Sequence, residues 1–253
     1  MILECQNLSA SYGSKQILKD INLSINQGDF ICLCGKNGSG KSTLLKLLSG
    51  TYSSDLSITQ GTVSPQFKKP ALNAQNIAYM PQSEHPAWDC TVMDSILQGR
   101  YCWSKGLYSA QDKAIAQEAA DTLHITPLLN RNIFSLSGGE FQKVRIARAL
   151  CQTPKFLLLD EPCANLDFTA EEELLKLLKD LSSKMGILIS IHNVNTAAIF
   201  AQTLCLLPQE QSLIFGLASQ VLTLQNLSKT FDTPLELYEH PVYKVPQIMS
   251  KRI

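Results

Sequence analysis

Two stretches of this sequence have residue types and spacing suited to phosphate. The first is Gly35-Lys36-Asn37-Gly38-Ser39-Gly40-Lys41-Ser42. Its glycines let backbone amides approach phosphate oxygens, Lys41 supplies a positive charge for the β- and γ-phosphates, and the Ser42 hydroxyl can ligate Mg2+. The second is Leu136-Ser137-Gly138-Gly139-Glu140, in which a serine and two glycines open a helix and expose amides and a hydroxyl. Because Ser137-x-x-Glu140 is also a capping box, this run taken alone reads equally well as a well-capped helix. A third stretch, Phe156-Leu157-Leu158-Leu159-Asp160-Glu161, is an apolar strand that delivers two carboxylates at its C-terminal end, the edge where a parallel sheet presents ligands. Asp160 suits Mg2+ held through water, and Glu161 suits a general base that polarises an attacking water.

The elements that must position these groups follow from the hydrophobic pattern. Phe30 to Cys34 is a short continuous apolar run, as in a strand buried on both faces, and Ser42 to Leu48 reads as a helix, so the glycine-rich loop joins strand to helix as its chemistry requires. Ile2 to Ile25 alternates in two stretches around Ser11 to Lys15, predicting an antiparallel strand pair. Residues 51 to 75 are polar and read as irregular, with Ile77 to Met80 resuming a strand that stops at Pro81-Gln82. From Thr91 to about Leu150 the pattern is helical, including Ala110 to Leu123 and Glu140 to Leu150, which predicts an inserted helical lobe. An amphipathic helix over Ala170 to Ser183 and a strand over Ile187 to His192 complete a largely parallel sheet covered by helices. The last thirty residues, rich in Pro and Tyr, give no readable pattern.

In their order along the chain these motifs resemble the ATP-binding cassette (ABC) family, over about residues 2 to 220. Leu136 to Glu140 is similar to that family's signature, Tyr12 to the aromatic that stacks on adenine, and Gln82 to the glutamine whose loop senses nucleotide and meets the membrane subunit. Asn165-Leu166-Asp167 resembles the D-loop and His192 the switch histidine. The resemblance implies an α/β P-loop core with a mainly parallel sheet, an N-terminal antiparallel β subdomain and an inserted α-helical subdomain. The implied divisions are a discontinuous core over 1–82 and 151–223, a helical signature subdomain over 83–150 and a tail over 224–253. It further implies ATP contacts from Tyr12, Gly35, Lys36, Asn37, Gly38, Ser39, Gly40, Lys41, Ser42 and Thr43, Mg2+ at Ser42, Gln82 and Asp160, and catalysis by Glu161, His192 and Gln82. Two cassettes of this family face head to tail, so Ser137, Gly138, Gly139, Glu140 and Asp167 are expected to meet ATP held by a second copy. Glu140 stands where the signature often has Gln, Cys163 where Ser or Thr is common, and Asn193 where an acid commonly follows the histidine. None of these departures removes a catalytic group, although Asn193 bears on how His192 is oriented.

The resemblance implies an ATPase subunit that works through a separate permease. The alternatives are an exporter ATPase or a cassette acting on nucleic acid or ribosomes, but the long coiled coils and charged linkers of the latter are missing from the sequence. Trp88 to Tyr101, Tyr108 to Asp112 and the tail from Val221 through His240-Pro241 look like importers of metal chelates: ferric siderophores, haem and cobalamin. An extracytoplasmic binding protein would then supply cargo, and zinc or manganese importers stay as the alternative.

Composition agrees with this. A chain of 253 residues can bury a large core, and 22 basic against 22 acidic residues give no general polyanion affinity, so nucleic acid is not an expected partner. Eight cysteines without a CxxC pair read as reduced thiols, Cys32 and Cys34 packing on one face of a strand. Neither the start of the sequence nor any apolar run reads as a secretory signal or spanning helix, so the expected location is peripheral, on the cytoplasmic face of the cell membrane. The four histidines lack ligand spacing, so no metal other than Mg2+ is expected.

Overall fold

The structure is a computed structural model that describes residues 1–65, 70–86 and 88–251. β1 (Ile2–Tyr12) turns back at Gly13-Ser14 into β2 (Lys15–Asn26), the two running antiparallel from Ile2↔Asn26 to Tyr12↔Lys15. β3 (Phe30–Cys34) is buried at every residue and runs through the glycine-rich loop into α1 (Lys41–Ser49), which buries Leu44, Leu45, Leu47 and Leu48. Each such leucine withdrawn from water stabilises the fold by about 2 kcal/mol. Gly50 in the left-handed conformation ends α1, its N–H reaching back to the carbonyls of Leu47 and Lys46.

The segment read as irregular is not. β4 (Leu56–Ser64) pairs antiparallel with the free edge of β1, and α2 (Pro70–Asn76) follows. β4 hides from pattern analysis because only Leu56 and Val63 are buried along it. Backbone pairing to β1, rather than an apolar face, is what holds it.

β5 (Ile77–Met80) leads into the helical lobe: α3 (Val92–Leu97), α4 (Tyr101–Ser104), α5 (Ala110–Thr122) and α6 (Gly138–Cys151). Thr91, Ser109 and Ser137 cap α3, α5 and α6, each in a reciprocal capping box with an acid three residues on. Buried Arg100 fastens the lobe, its Nε donating to Asp112 Oδ1 at 2.8 Å and its Nη1 to Cys151 O at 3.1 Å. β6 (Phe156–Asp160), α7 (Phe168–Leu181), β7 (Gly186–Ser190), α8 (Val194–Phe200) and β8 (Thr203–Leu206) complete the alternation.

Among the described residues the strands form three sheets. β2-β1-β4 is one; the central sheet runs β5-β6-β7-β3-β8-β9, parallel except for β9 (Ile214–Gly216). This is the mixed architecture expected. Alternate residues of the central strands serve two cores. Cys32, Cys34, Leu157 and Ile189 face α7, α8 and the helical lobe, whereas Ile31, Leu33, Leu158 and Leu188 face α1 and the β1–β2 pair. Cys32 and Cys34 are therefore core residues, and burial pushes the Cys34 thiol up to about 12.

The unreadable tail also has structure. α9 (Ala218–Val221) and α10 (Leu224–Phe231) precede a hairpin of β10 (Leu235–Glu239) and β11 (Pro246–Ser250). The hairpin seats on α8, where the Asn195 side chain accepts from Ile248 N at 2.7 Å and donates to Ile248 O at 3.0 Å. No described helix is long and apolar enough to cross a membrane.

Candidate functional site

The C-terminal ends of β3, β6 and β7 gather the predicted residues. β7 lies between the other two strands, so three loops meet along one edge of the sheet. The loop after β3 wraps the start of α1. Gly40 precedes that helix at φ +103°, and a Cβ there would sit 2.7 Å from Leu18 Cδ2, so only glycine fits both backbone and packing. Gly35 is confined by packing alone, a Cβ there lying 2.7 Å from Leu207 O and 2.8 Å from Ser39 Oγ. Lys41 is buried, its Nζ donating to Gly35 O at 2.9 Å and Lys36 O at 3.1 Å, which curls the loop about the ammonium. Burial lowers the lysine's pKa, while Glu161, Cys34 and Asp160 act in the opposite direction. Ser39 Oγ is buried without a protein partner beside it. Asn37 and Gly38 are exposed, Ser42 is half-buried and Thr43 is buried in the first turn.

At the end of β6, Asp160 is 1% exposed; its Oδ1 accepts from Ser190 Oγ at 2.6 Å and its Oδ2 has no partner within the protein. A buried carboxylate oxygen left unpaired is costly unless something outside the chain pairs with it. Glu161 follows at φ +52°, a left-handed conformation rare for a residue with a side chain. Its carboxylate is held on both sides: Gln82 Nε2 donates to Oε2 at 2.8 Å, and His192 Nε2 lies 2.6 Å from Oε1. Residues 82, 161 and 192, far apart in sequence, thus converge on one carboxylate. A cavity of about 190 Å3 opens beside Glu161, His192 and Asn193. Cys163 lines it with its thiol pushed up to about 12 by burial, which makes it an inert wall. Asn193 caps α8, its Oδ1 accepting from Asn195 N and Thr196 N, so it fixes the helix start rather than the His192 ring.

The remaining predicted residues lie elsewhere. Tyr12 ends β1, half-buried. Ser137 and Gly138 are exposed at the start of α6, with Gly139 half-buried, 3.3 Å from Leu166 Cδ2 as measured from the position of a Cβ. Glu140 Oε2 accepts from Ser137 N at 2.8 Å and Ser137 Oγ at 2.9 Å. Asp167, also exposed, caps α7 through Ala170 N at 2.9 Å. Sequence reasoning missed three residues that meet the site: Ser190, Gln142 and Arg145. Ser190 is fully buried in an otherwise apolar strand, a signal legible in Ile187-Leu188-Ile189-Ser190-Ile191. Gln142 and Arg145 sit on the buried side of α6 at helical spacing, where polar residues call for partners.

The family model described as ABC transporter matches residues 18–164. The hemin import ATP-binding protein HmuV of Thermobifida fusca is 32% identical over all of this chain and 89% of that protein. An uncharacterized ABC transporter ATP-binding protein of Haemophilus influenzae is 35% identical over 94% of this chain and 92% of its own length. Among solved structures, an inward-facing metal-chelate type ABC transporter superposes with a TM-score of 0.85 at 30% identity, covering 99% of this chain and 97% of the matched one. A family model that matches more than half of the chain, and relatives alike along its whole length, make this an ATP-binding, ATP-hydrolysing member of the ABC transporter family.

Proposed function

We propose that this chain is the ATPase motor of an importer for metal chelates of the haem, ferric siderophore or cobalamin type. It works as an ATP-sandwiched pair on the cytoplasmic side of a separate membrane permease, which an extracytoplasmic binding protein supplies with cargo. The observation that carries the chemistry is the Glu161 carboxylate held between Gln82 and His192. The substrate class is supported by likeness to a hemin importer that runs through the tail as well as the nucleotide motifs.

In this reading the loop from Gly35 to Thr43 binds the ATP phosphates, with Lys41 turning its ammonium from the loop carbonyls to the β- and γ-phosphates. Tyr12 stacks on adenine. Ser42, Asp160 and Gln82 would hold Mg2+, and the unpaired Asp160 Oδ2 fits that assignment. When bound, the ion supplies charge neutralisation on the phosphate oxygens. Glu161 polarises the attacking water, His192 and Gln82 orient its carboxylate, and Ser190 fixes Asp160. Ser137, Gly138, Gly139, Glu140 and Asp167 meet the ATP of the second copy, so each chain carries two half-sites.

Replacing Glu161 with Gln keeps the hydrogen-bonding shape and removes the base. Turnover is expected to fall by about 100-fold or more while ATP binding survives and a dimer accumulates; wild-type hydrolysis would refute the role. Uptake of radiolabelled haem, ferric siderophore and cobalamin by cells with and without the gene identifies the cargo, and uptake restricted to zinc or manganese would replace the substrate class.

A further inference from the structure

Glu161 combines a role that demands exact placement with a backbone that resists it. Its φ of +52° persists only where the surroundings over-determine it. On one side the Ser190 hydroxyl accepts from Glu161 N at 2.9 Å. On the other, Gln142 Nε2 donates to Pro162 O at 2.8 Å and lies 3.5 Å from Glu161 O. Gln142 is in turn fixed by Arg145, whose Nη1 donates to its Oε1 at 2.7 Å. The same guanidinium donates to Pro81 O, reaches Gln82 O at 3.5 Å and lies 3.5 Å from Glu84 Oε2. Gln142 and Arg145 are each 4% exposed, so water does not substitute for these bonds. A continuous path therefore runs from the backbone of Pro81-Gln82, through two side chains of α6, to the carbonyl that follows Glu161. It stands beside the direct bond from the Gln82 side chain to the carboxylate.

We propose that Gln142 and Arg145 are positioning residues for ATP hydrolysis, holding Glu161 in its left-handed conformation through the carbonyls of Glu161 and Pro162 and registering it against the loop of Gln82. The inference rests on the reading of Glu161 as general base. Because both residues belong to the helix that begins at Ser137, a movement of that helix against the core shifts Glu161 through Gln142. Hydrolysis thereby becomes sensitive to where the signature helix stands. The Arg145–Gln142–Pro162 chain supplies the physical connection for this coupling.

The test is steady-state ATP turnover by the full-length chain carrying Gln142→Met, which keeps the side chain's length and removes its donor. The expected result is a kcat lowered about tenfold with ATP KM within twofold of wild type. Arg145→Lys keeps the charge but loses the planar fork that spans Pro81 O and Gln142, and should lower kcat in the same way. Acting in series, the two changes together should be no slower than the slower single variant. A Gln142→Met or Arg145→Lys protein with lowered Tm but wild-type kcat would overturn the proposal, as would losses that multiply in the double variant. If Gln142→Met does not fold, Arg145→Lys decides alone by the same kcat and KM criteria. Glu161→Gln, assayed alongside, separates the premises: wild-type turnover there removes the base, whereas loss there with unaltered Gln142→Met and Arg145→Lys removes only the positioning role.

Discussion

The starts of α1 and α6 are both phosphate-binding helix ends in the proposed cycle, yet they are built in opposite ways. α1 begins at Gly40 in the left-handed region with no side-chain cap, its first residue a buried lysine. α6 begins at exposed Ser137, whose hydroxyl accepts from Glu140 N at 3.3 Å while the Glu140 carboxylate accepts from Ser137 N. One end leaves its amides and dipole directed at an anion; the other satisfies itself within its own chain. The difference fits the division of labour. A helix that meets its phosphate in its own subunit can leave the anion to complete it, but one that waits for a partner's nucleotide must be stable before the partner arrives.

Breaking the first end should cost most. Lys41→Ala removes the buried ammonium that the loop encloses, and ATP affinity is expected to fall about 100-fold because the charge proposed to meet the β- and γ-phosphates is lost. Titration with a fluorescent nucleotide checks this, and unchanged affinity would refute the assignment. Ser137→Arg leaves nucleotide binding intact and places a long cation where two copies must close. In the Glu161→Gln background it should abolish the ATP-dependent dimer on size-exclusion chromatography, and in the wild-type background lower turnover about tenfold or more. A variant that still dimerises would count against the trans contact.

The two ends also differ in how plainly the sequence announces them. Gly35 to Ser42 between an apolar run and a leucine-rich helix declares strand, loop and helix together, because the steric demands at Gly35 and Gly40 leave little choice of residue. Ser137-x-x-Glu140 announces only a helix start; its chemical meaning comes from order along the chain. Asp160 and Glu161 were visible at a strand end, but that Gln82 and His192 converge on the Glu161 carboxylate is a fact of the sheet order, which no local pattern carries. β4 escaped because an edge strand with two buried residues has no alternation to read. The tail hairpin escaped because its strands are no more than half-buried, with Leu235, Leu237 and Ile248 only partly covered by the core, and because its ties to α8 run through Asn195, which bonds Ile248 and accepts from Gln247 Nε2.

Gly40→Ala sharpens the comparison by testing backbone rather than charge. A Cβ at φ +103° would meet Leu18 and Ile17, so the variant is expected to lose about 2 kcal/mol of stability, read as a lowered urea midpoint. The equivalent change at the other helix, Gly139→Ala, adds a Cβ only 3.3 Å from Leu166 and faces no positive φ, so it should cost less than the Gly40 change.

The smallest effect is expected at Glu140, and its sign follows from protonation. The backbone N–H and hydroxyl of Ser137, with Arg131 beside them, hold the Glu140 carboxyl below the usual carboxylate range. A depressed folded-state pKa contributes stability that is present above the unfolded value, near about 4.3, and is lost as pH falls through the folded value. Glu140→Gln keeps an acceptor for Ser137 N but cannot ionise. It should cost about 0.5 kcal/mol at pH 7 and flatten the dependence of stability on pH below about 4.3, with turnover changed by less than about twofold because the cap survives. Denaturation midpoints measured between neutral and acid pH on both proteins check this. An identical acid slope in the variant would show that ionisation of Glu140 adds nothing to the folded state, leaving the Ser137 hydroxyl on Glu140 N as the cap that distinguishes this helix end from the first.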